Sequence, residues 1–269
     1  MKLAVVVGAN GFLGGAIVNE LINKGLNVCA VYNTHLDKIN KFATLTNHQN
    51  LLTSDLQPDV IFYASGNYAT SHDDLLKINF TLYQYSLKFI NSKLVYVSST
   101  NVYGIHNNSI TENSTYNNPG LYALSKLSGE FIVTSMPHYS IIRLTYVYGL
   151  GISNNSFIPQ VIRSAKDLGK ITLFGNGGRM QDYIHINDVV NFCLVAAQQQ
   201  NNATYLCATG KSISNKKVAE EISKWNGCSV EYTGEDSGQS FHFDPQKTFN
   251  ELNWFPKITF AEGIKEMLK

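Results

Sequence analysis

Apolar positions arrive in two rhythms along this chain. Short, nearly unbroken apolar runs at residues 3–7, 27–31, 59–64, 94–97 and 140–144 read as strands. Between them apolar residues recur at helical spacing. Residues 11–24 carry Ile17 and Leu21, residues 73–90 carry Leu76, Phe80, Tyr83 and Leu87 on one face, and residues 121–136 form a third helix. Strands that are apolar throughout and alternate with helices predict an α/β fold, a doubly wound parallel sheet covered on both faces. Past about residue 146 the pattern loosens. Residues 149–156 are rich in Gly, Asn and Ser, 157–168 read as a helix, and Phe174-Gly-Asn-Gly-Gly reads as a turn. A helix at 187–199 and a strand at 204–208 predict a return to the sheet, and a helix at 214–225 has Ser212 or Ser214 as its cap. The expected organisation is a first domain over 1–146, completed by about 186–208, with a smaller C-terminal domain from 147–185 and 209–269.

Composition narrows the classes. The chain has 269 residues, 44% of them hydrophobic, enough for one large domain or two joined ones. The net charge is +1 with no Lys/Arg run, so no nucleic-acid partner is expected. Four cysteines without a C-x-x-C pair suggest neither a metal site nor a disulfide framework. No stretch approaches the ~18 apolar residues of a membrane span, and the opening run is too short for a signal-peptide core. A soluble, cytoplasmic protein with no membrane partner is the expectation.

Candidate chemistry enters at three places. In "VVVGANGFLGG" the glycines Gly8, Gly11 and Gly14 follow the first strand and open the first helix. Gly8 permits a tight turn, Gly11 a close approach by a pyrophosphate, and Gly14 close helix packing. An ordinary strand–turn–helix reads the same way. The acid expected on a ribose 2′-hydroxyl about 20 residues on is absent. The second strand runs into Tyr32, Asn33, Thr34 and His35, with no acid before Asp37, and Lys38 and Lys41 stand as surface charges or 2′-phosphate ligands. Tyr122 and Lys126, in "LYALSK", share a helix face at i, i+4. An ammonium beside a phenol lowers its pKa and fits it for proton exchange with an alcohol or ketone, although an exposed Tyr/Lys pair has the same spacing. The strand at 94–97 ends in Ser98, Ser99 and Thr100, where ligands gather in such sheets, unless this is a Ser-rich turn.

Taken in order, these segments resemble the extended short-chain dehydrogenase/reductase family, whose members are sugar-nucleotide epimerases, dehydratases and reductases. GANGFLG matches its G-x-x-G-x-x-G, SSTNVYG its S-S/T-x-x-V-Y-G, and Tyr122-x-x-x-Lys126 its Y-x-x-x-K. "KINFT", "FYASG", "RLTYVYG", "QDYIHINDVV" and the closing "DPQKTFNELNWFPK" extend the likeness over almost the whole chain. The resemblance implies a Rossmann sheet with a smaller substrate-binding domain and an NAD(H) or NADP(H) cofactor. It also implies a nucleotide-sugar substrate and a homodimer formed through the helices at 73–90 and 121–136, with Tyr85, Phe89 and Phe131 either as contacts or as core residues. Ser99 would be the catalytic hydroxyl and Tyr122 the general acid/base. Lys126 would hold the nicotinamide ribose and lower the Tyr122 pKa, and Asn79 would orient the lysine through water. Gly8, Asn10, Gly11, Phe12, Leu13, Gly14, Tyr32, Asn33, Tyr63, Ala64 and Ser65 would meet the cofactor. Thr100, Arg143, Tyr146 and Arg179 would meet the substrate.

Departures from the family pattern shape the expected reaction. Thr100 and Asn101 stand where the dehydratases carry an Asp-Glu pair, which argues against elimination of water. Gln181 stands where an arginine grips the pyrophosphate, Tyr146 replaces the substrate asparagine, and "TGEDSGQSFHFDP" has no second arginine. Arg143, Arg163 and Arg179 are the remaining cations for a diphosphate. Asp55 is expected in a short helix ending at Pro58, the alternative being the acid that in the family meets the adenine after the third strand. The first functional reading is reduction of a 4-keto nucleotide sugar at C4. The second is an NAD-dependent C4 epimerase, and a non-catalytic dinucleotide-binding scaffold or sensor comes third.

Overall fold

A computed structural model describes residues 1–33, 39–66 and 72–269. Thr34, His35, Asp37 and Lys38 lie outside the described residues. The chain runs through β1 (Leu3–Val7), α1 (Phe12–Asn23), β2 (Asn27–Val31), β3 (Thr44–Thr46), α2 (His48–Thr53) and β4 (Val60–Tyr63). It continues through α3 (His72–Lys88), β5 (Lys93–Ser99), a 3-10 turn (Thr100–Tyr103), α4 (Leu121–Val133) and β6 (Tyr139–Leu144). Then come β7 (Tyr146–Tyr148), α5 (Phe157–Leu168), β8 (Lys170–Phe174), β9 (Met180–Gln181), β10 (Tyr183–His185) and α6 (Ile186–Gln198). The last elements are β11 (Ala203–Cys207), β12 (Ile213–Ser214), α7 (Asn215–Asn226), β13 (Ser229–Thr233), α8 (Gln246–Leu252) and α9 (Phe260–Leu268). Among the described residues no helix is long and apolar enough to cross a membrane.

The first of two compact units comprises Met1–Gly104, Ser114–Leu144 and Val190–Cys207. Its sheet has seven strands in the order β11-β6-β5-β4-β1-β2-β3, every neighbouring pair parallel. The register sets Ala4 beside Val28 on one side and Val60 on the other. Val5, Val7, Ile61, Tyr63, Leu94 and Tyr96 pack with Leu82, Tyr85 and Phe89 from α3 and its end, and with Val133 of α4. Tyr85 and Phe89 are therefore core residues, 0% and 1% exposed, the second of the two readings open to them, and not dimer contacts. The strand order reverses at β1 and β4, and in such sheets ligands bind beyond the carboxyl ends at that point. One small element, β3, went unread in the sequence, and the short helix expected before Pro58 is α2, which ends at Thr53. β3 is a three-residue edge strand, and α2 is capped by Asn47, whose side chain accepts from Asn50 N at 2.9 Å. Asp55 lies beyond the end of α2, not in a helix reaching Pro58.

The second unit comprises Ile105–Asn113, Thr145–Val189 and Ala208–Lys269. It contains three two-stranded ribbons, β7 with β10 and β8 with β13 in parallel, β9 with β12 antiparallel. Ile158, Ile162, Ile171, Leu173, Val218, Ile222 and Ile264 form its core. Buried carboxylates staple its loops. Asp182 accepts from Thr209 N (2.9 Å), Thr209 Oγ1 (2.8 Å) and Lys211 N (3.2 Å), and Asp188 from Lys257 N (3.1 Å) and Ile258 N (2.9 Å). Residues 105–113, expected with the first domain, belong here. Ile110 pairs with the backbone of His242 and Asp244, and the Glu112 carboxylate accepts from Thr248. Ser214, not Ser212, caps α7, accepting from Lys217 N.

Candidate active site

The glycine turn lies at the reversal of strand order. Gly8, straight after β1, has φ +84°, a conformation L side chains rarely adopt. A β-carbon at Gly14 would overlap the Gly8 carbonyl oxygen, so α1 can seat on the turn only without one. The helix starts after Gly11 with no side-chain cap and no acid in its first turn. Its leading amides and dipole thus face no competing negative charge. Asn10, Phe12 and Leu13 are half-buried around this end and Gly11 is exposed. The segment leaving β4 runs alongside, and Ser65 N would lie 3.0 Å from a β-carbon at Gly8. A turn bounded by Gly8 and Gly11, feeding a helix with no side-chain cap, fits the pyrophosphate of a dinucleotide. Of the expected contacts, Tyr63 does not offer its side chain. The ring is buried and its hydroxyl donates to Ile78 O at 2.9 Å. Tyr32 and Asn33 follow β2, and Tyr32 N is held by Thr46 O at 3.1 Å.

One strand further along, β5 ends in Ser98 and Ser99, with α4 packed over it. Ser99 is buried and its Oγ accepts from Asn101 N at 3.2 Å. Tyr122, in the first turn of α4, is half-buried. Lys126, one turn on, is buried, its Nζ 5.9 Å from the Tyr122 ring centre and 5.3 Å from that of Tyr96. The ammonium donates to Val97 O (3.0 Å) and Ser65 O (3.2 Å). Burial pulls the Lys126 ammonium down to about 8, opposed by the negative charge of Glu130. Asn79 on α3 donates through Nδ2 to Ser125 O at 3.0 Å, while its Oδ1 is buried with no protein partner among the described residues. That orphaned acceptor suits an interior water. Tyr96, Gly129 and Glu130 were not singled out in the sequence. Gly129 is glycine because a β-carbon there would overlap the Tyr96 hydroxyl.

The expected substrate residues divide. Arg143 is buried in a two-pronged pair with Glu130, Nη2–Oε2 2.7 Å and Nε–Oε1 3.1 Å, and donates to Tyr116 Oη at 2.6 Å. Its guanidinium is committed to the interior, which removes it from the diphosphate candidates. Thr100 donates to Leu144 O at 3.3 Å and is also buried. Arg163 is held at the surface by Asn154 O and Asn155 Oδ1. Tyr146 and Arg179 line a cavity of about 210 Å³ in the second unit, with Ser156, Phe157, Gln181 and Tyr183 among the other walls. Arg179 Nε and Gln181 Nε2 both donate to Gln239 O, at 3.0 and 3.1 Å. Burial raises the Tyr146 phenol, with Arg179 opposing.

Residues 4–208 match the model of the NAD dependent epimerase/dehydratase family. The chain belongs to that family. A putative UDP-glucose 4-epimerase of Methanocaldococcus jannaschii is 25% identical, covering 99% of this epimerase/dehydratase family member and 97% of its own length. The CDP-abequose synthase of Salmonella typhimurium is 22% identical, covering 100% and 98%. A similar fold is that of MoeE5 in complex with UDP-glucose and NAD, with TM-score 0.87 at 22% identity over 100% of this family member and 97% of that chain.

Proposed function

We propose that the protein is an NAD(P)-dependent oxidoreductase of nucleotide sugars that moves a hydride at C4, with Tyr122 as its general acid/base. The observation that carries the reading is the Tyr122–Lys126 pair on α4, beside the end of β5, in a sheet whose glycine turn fits a dinucleotide. When bound, the nicotinamide supplies or accepts the hydride. Gly8, Asn10, Gly11, Phe12, Leu13 and Gly14 hold the cofactor, helped by the backbone of Tyr63, Ala64 and Ser65 and by Tyr32 and Asn33. Ser99 donates a hydrogen bond to the reacting oxygen. Tyr122 gives or takes its proton. Lys126 binds the ribose and favours the phenolate, and Asn79 steadies the lysine through water. In the second unit, Tyr146 and Arg179 receive part of the substrate. A cavity of about 210 Å³ falls below the ~300 Å³ of whole-ligand pockets, so it holds one group of the substrate.

Reduction of a 4-keto sugar is the first net reaction. The neutral Asn33 after β2 supports it, since a ribose-gripping acid is the usual anchor of tightly kept NAD. C4 epimerisation is the second, favoured by the whole-length likeness to a putative UDP-glucose 4-epimerase. The neutral pair Thr100–Asn101 after Ser99 argues against dehydration. We infer a homodimer, formed through α3 and α4.

The test is to denature the purified protein, identify any released dinucleotide, and titrate the stripped wild type and Tyr122→Phe with NADH and NADPH. Both proteins should bind alike, with turnover of a nucleotide sugar falling about 10²–10⁴-fold in the variant. Retained NAD points to the epimerase, and an empty protein preferring NADPH to the reductase. Binding of neither, or full turnover by the variant, overturns the reading.

A further inference from the structure

Glu130 and Arg143 form the most heavily satisfied ion pair among the described residues, and nothing in the reaction proposed above calls for it. Both are buried. The Glu130 carboxylate receives Arg143 through two nitrogens, at 2.7 and 3.1 Å, and the Ser98 hydroxyl at 2.5 Å. The Arg143 guanidinium lies 4.8 Å from the Tyr103 ring centre and 5.2 Å from that of Tyr116. A buried pair of this kind adds little net stability, because desolvating the two charges offsets their attraction. Its placement is more informative. Ser98 precedes Ser99. Glu130 is one turn past Lys126 and two past Tyr122 on α4. Arg143 is on β6, and Tyr116 lies in the segment leading into α4.

We propose that Glu130, locked by Arg143, is a positioning residue for Lys126 and through it for Tyr122: it fixes α4 against β5 and supplies the negative charge that keeps Lys126 an ammonium. The inference rests on the reading of Tyr122 and Lys126 as the acid/base pair. Lys126 is buried among groups from three elements and the segment after β4. Tyr96 of β5 lies on one side, Tyr122 and Glu130 on its own helix, the carbonyls of Val97 and Ser65 at its tip, and Asn79 of α3 at the neighbouring Ser125. Of these, Glu130 is the one carboxylate, and its field opposes the effect of burial on the lysine. Removing the carboxylate would leave Lys126 in the same dry surroundings with an unpaired guanidinium nearby, and its proton would be lost at lower pH.

The experiment follows Lys126 by NMR in full-length protein carrying ¹³C-labelled lysine and tyrosine, with Lys126→Met and Tyr122→Phe identifying the two resonances. Glu130→Gln keeps the shape of the carboxyl group. The double variant Glu130→Met/Arg143→Met removes both charges and leaves neither orphaned. In either variant that folds, the Lys126 midpoint should fall by about one pH unit or more, a tenfold weaker hold on the proton. The pH midpoint of NADH or NADPH binding should move with it. A folded variant whose Lys126 midpoint stays in place overturns the proposal and leaves the pair a packing device. The lysine titration needs no ligand. A wild type that binds neither dinucleotide therefore defeats the functional reading, while the NMR result still decides the role of Glu130.

Discussion

Lys126 is a cation held where water does not reach, and that state leaves a signature in stability. Burial sets its native titration at about 8, against 10.5 for an ordinary lysine. Between those values the unfolded chain carries a proton that the native chain has shed. Stability therefore rises with pH across that window. The penalty for the buried ammonium is fully present below about pH 8 and gone above about 10.5. A shift of this size corresponds to about 3 kcal/mol. The unfolding free energy of the wild type, less that of Lys126→Met, should climb by up to that amount between pH 7.5 and 10.5 in urea titrations. A flat difference would mean that Lys126 is not desolvated. The lysine was readable as a candidate because its i, i+4 spacing from Tyr122 falls within the Y-x-x-x-K of the family the ordered motifs resemble; the spacing alone suits an exposed pair equally. Arg143 was misread for the complementary reason. Its partner Glu130 lies on a different element, and nothing in the local sequence says that a guanidinium is already taken. Tyr63 failed likewise, since only the packed structure reveals its hydroxyl bonded to Ile78.

At the scale of elements, apolar strands and amphipathic helices were readable because burial imposes their periods on the sequence. β1, β2 and α5 have the expected bounds, whereas α4 ends at Val133, three residues short of the reading. The ribbons of the second unit were missed. β9, β10 and β12 are two or three residues long, too short for a period to register, and their partners are remote in sequence. How closely two elements approach is also invisible until they meet. α4 lies near β5 because Gly129 leaves room for the Tyr96 ring, which is buried and hydrogen-bonded to Lys126 O at 3.4 Å. Gly129→Ala should therefore destabilise the protein by about 2 kcal/mol, despite the better helix propensity of alanine. Chemical denaturation would register this as a lower midpoint at unchanged slope. An unchanged midpoint would mean that the Tyr96 ring yields freely and that the contact does not fix the helix.

For the whole molecule, the outer face of α3 and α4 is the feature a solitary chain does not explain. Leu76, Phe80 and Leu87 on α3 are 68%, 62% and 60% exposed, and Phe131 on the neighbouring α4 is 72% exposed. Tyr83 and Leu124 continue the same faces and are also exposed. The stripe Leu76, Phe80, Tyr83, Leu87 repeats at helical spacing and was legible from the sequence, but periodicity alone cannot say whether it faces a core or a partner. The core already has its own stripe, Leu75, Leu82, Tyr85 and Phe89, so the outer one is left for something else. A contiguous apolar patch of this kind marks an association surface. In the dimer proposed above, the two helices and their copies, related by a two-fold axis, would bury both stripes in a four-helix packing. Sedimentation should give twice the chain mass for the wild type at micromolar concentration. Phe80→Glu/Phe131→Glu should raise the dimer dissociation constant by two orders of magnitude or more, about 3 kcal/mol of carboxylate desolvation. Its circular dichroism should match the wild type, because both side chains project into solvent in the single chain. A monomeric wild type, or a variant that still dimerises, would assign this face to a different partner.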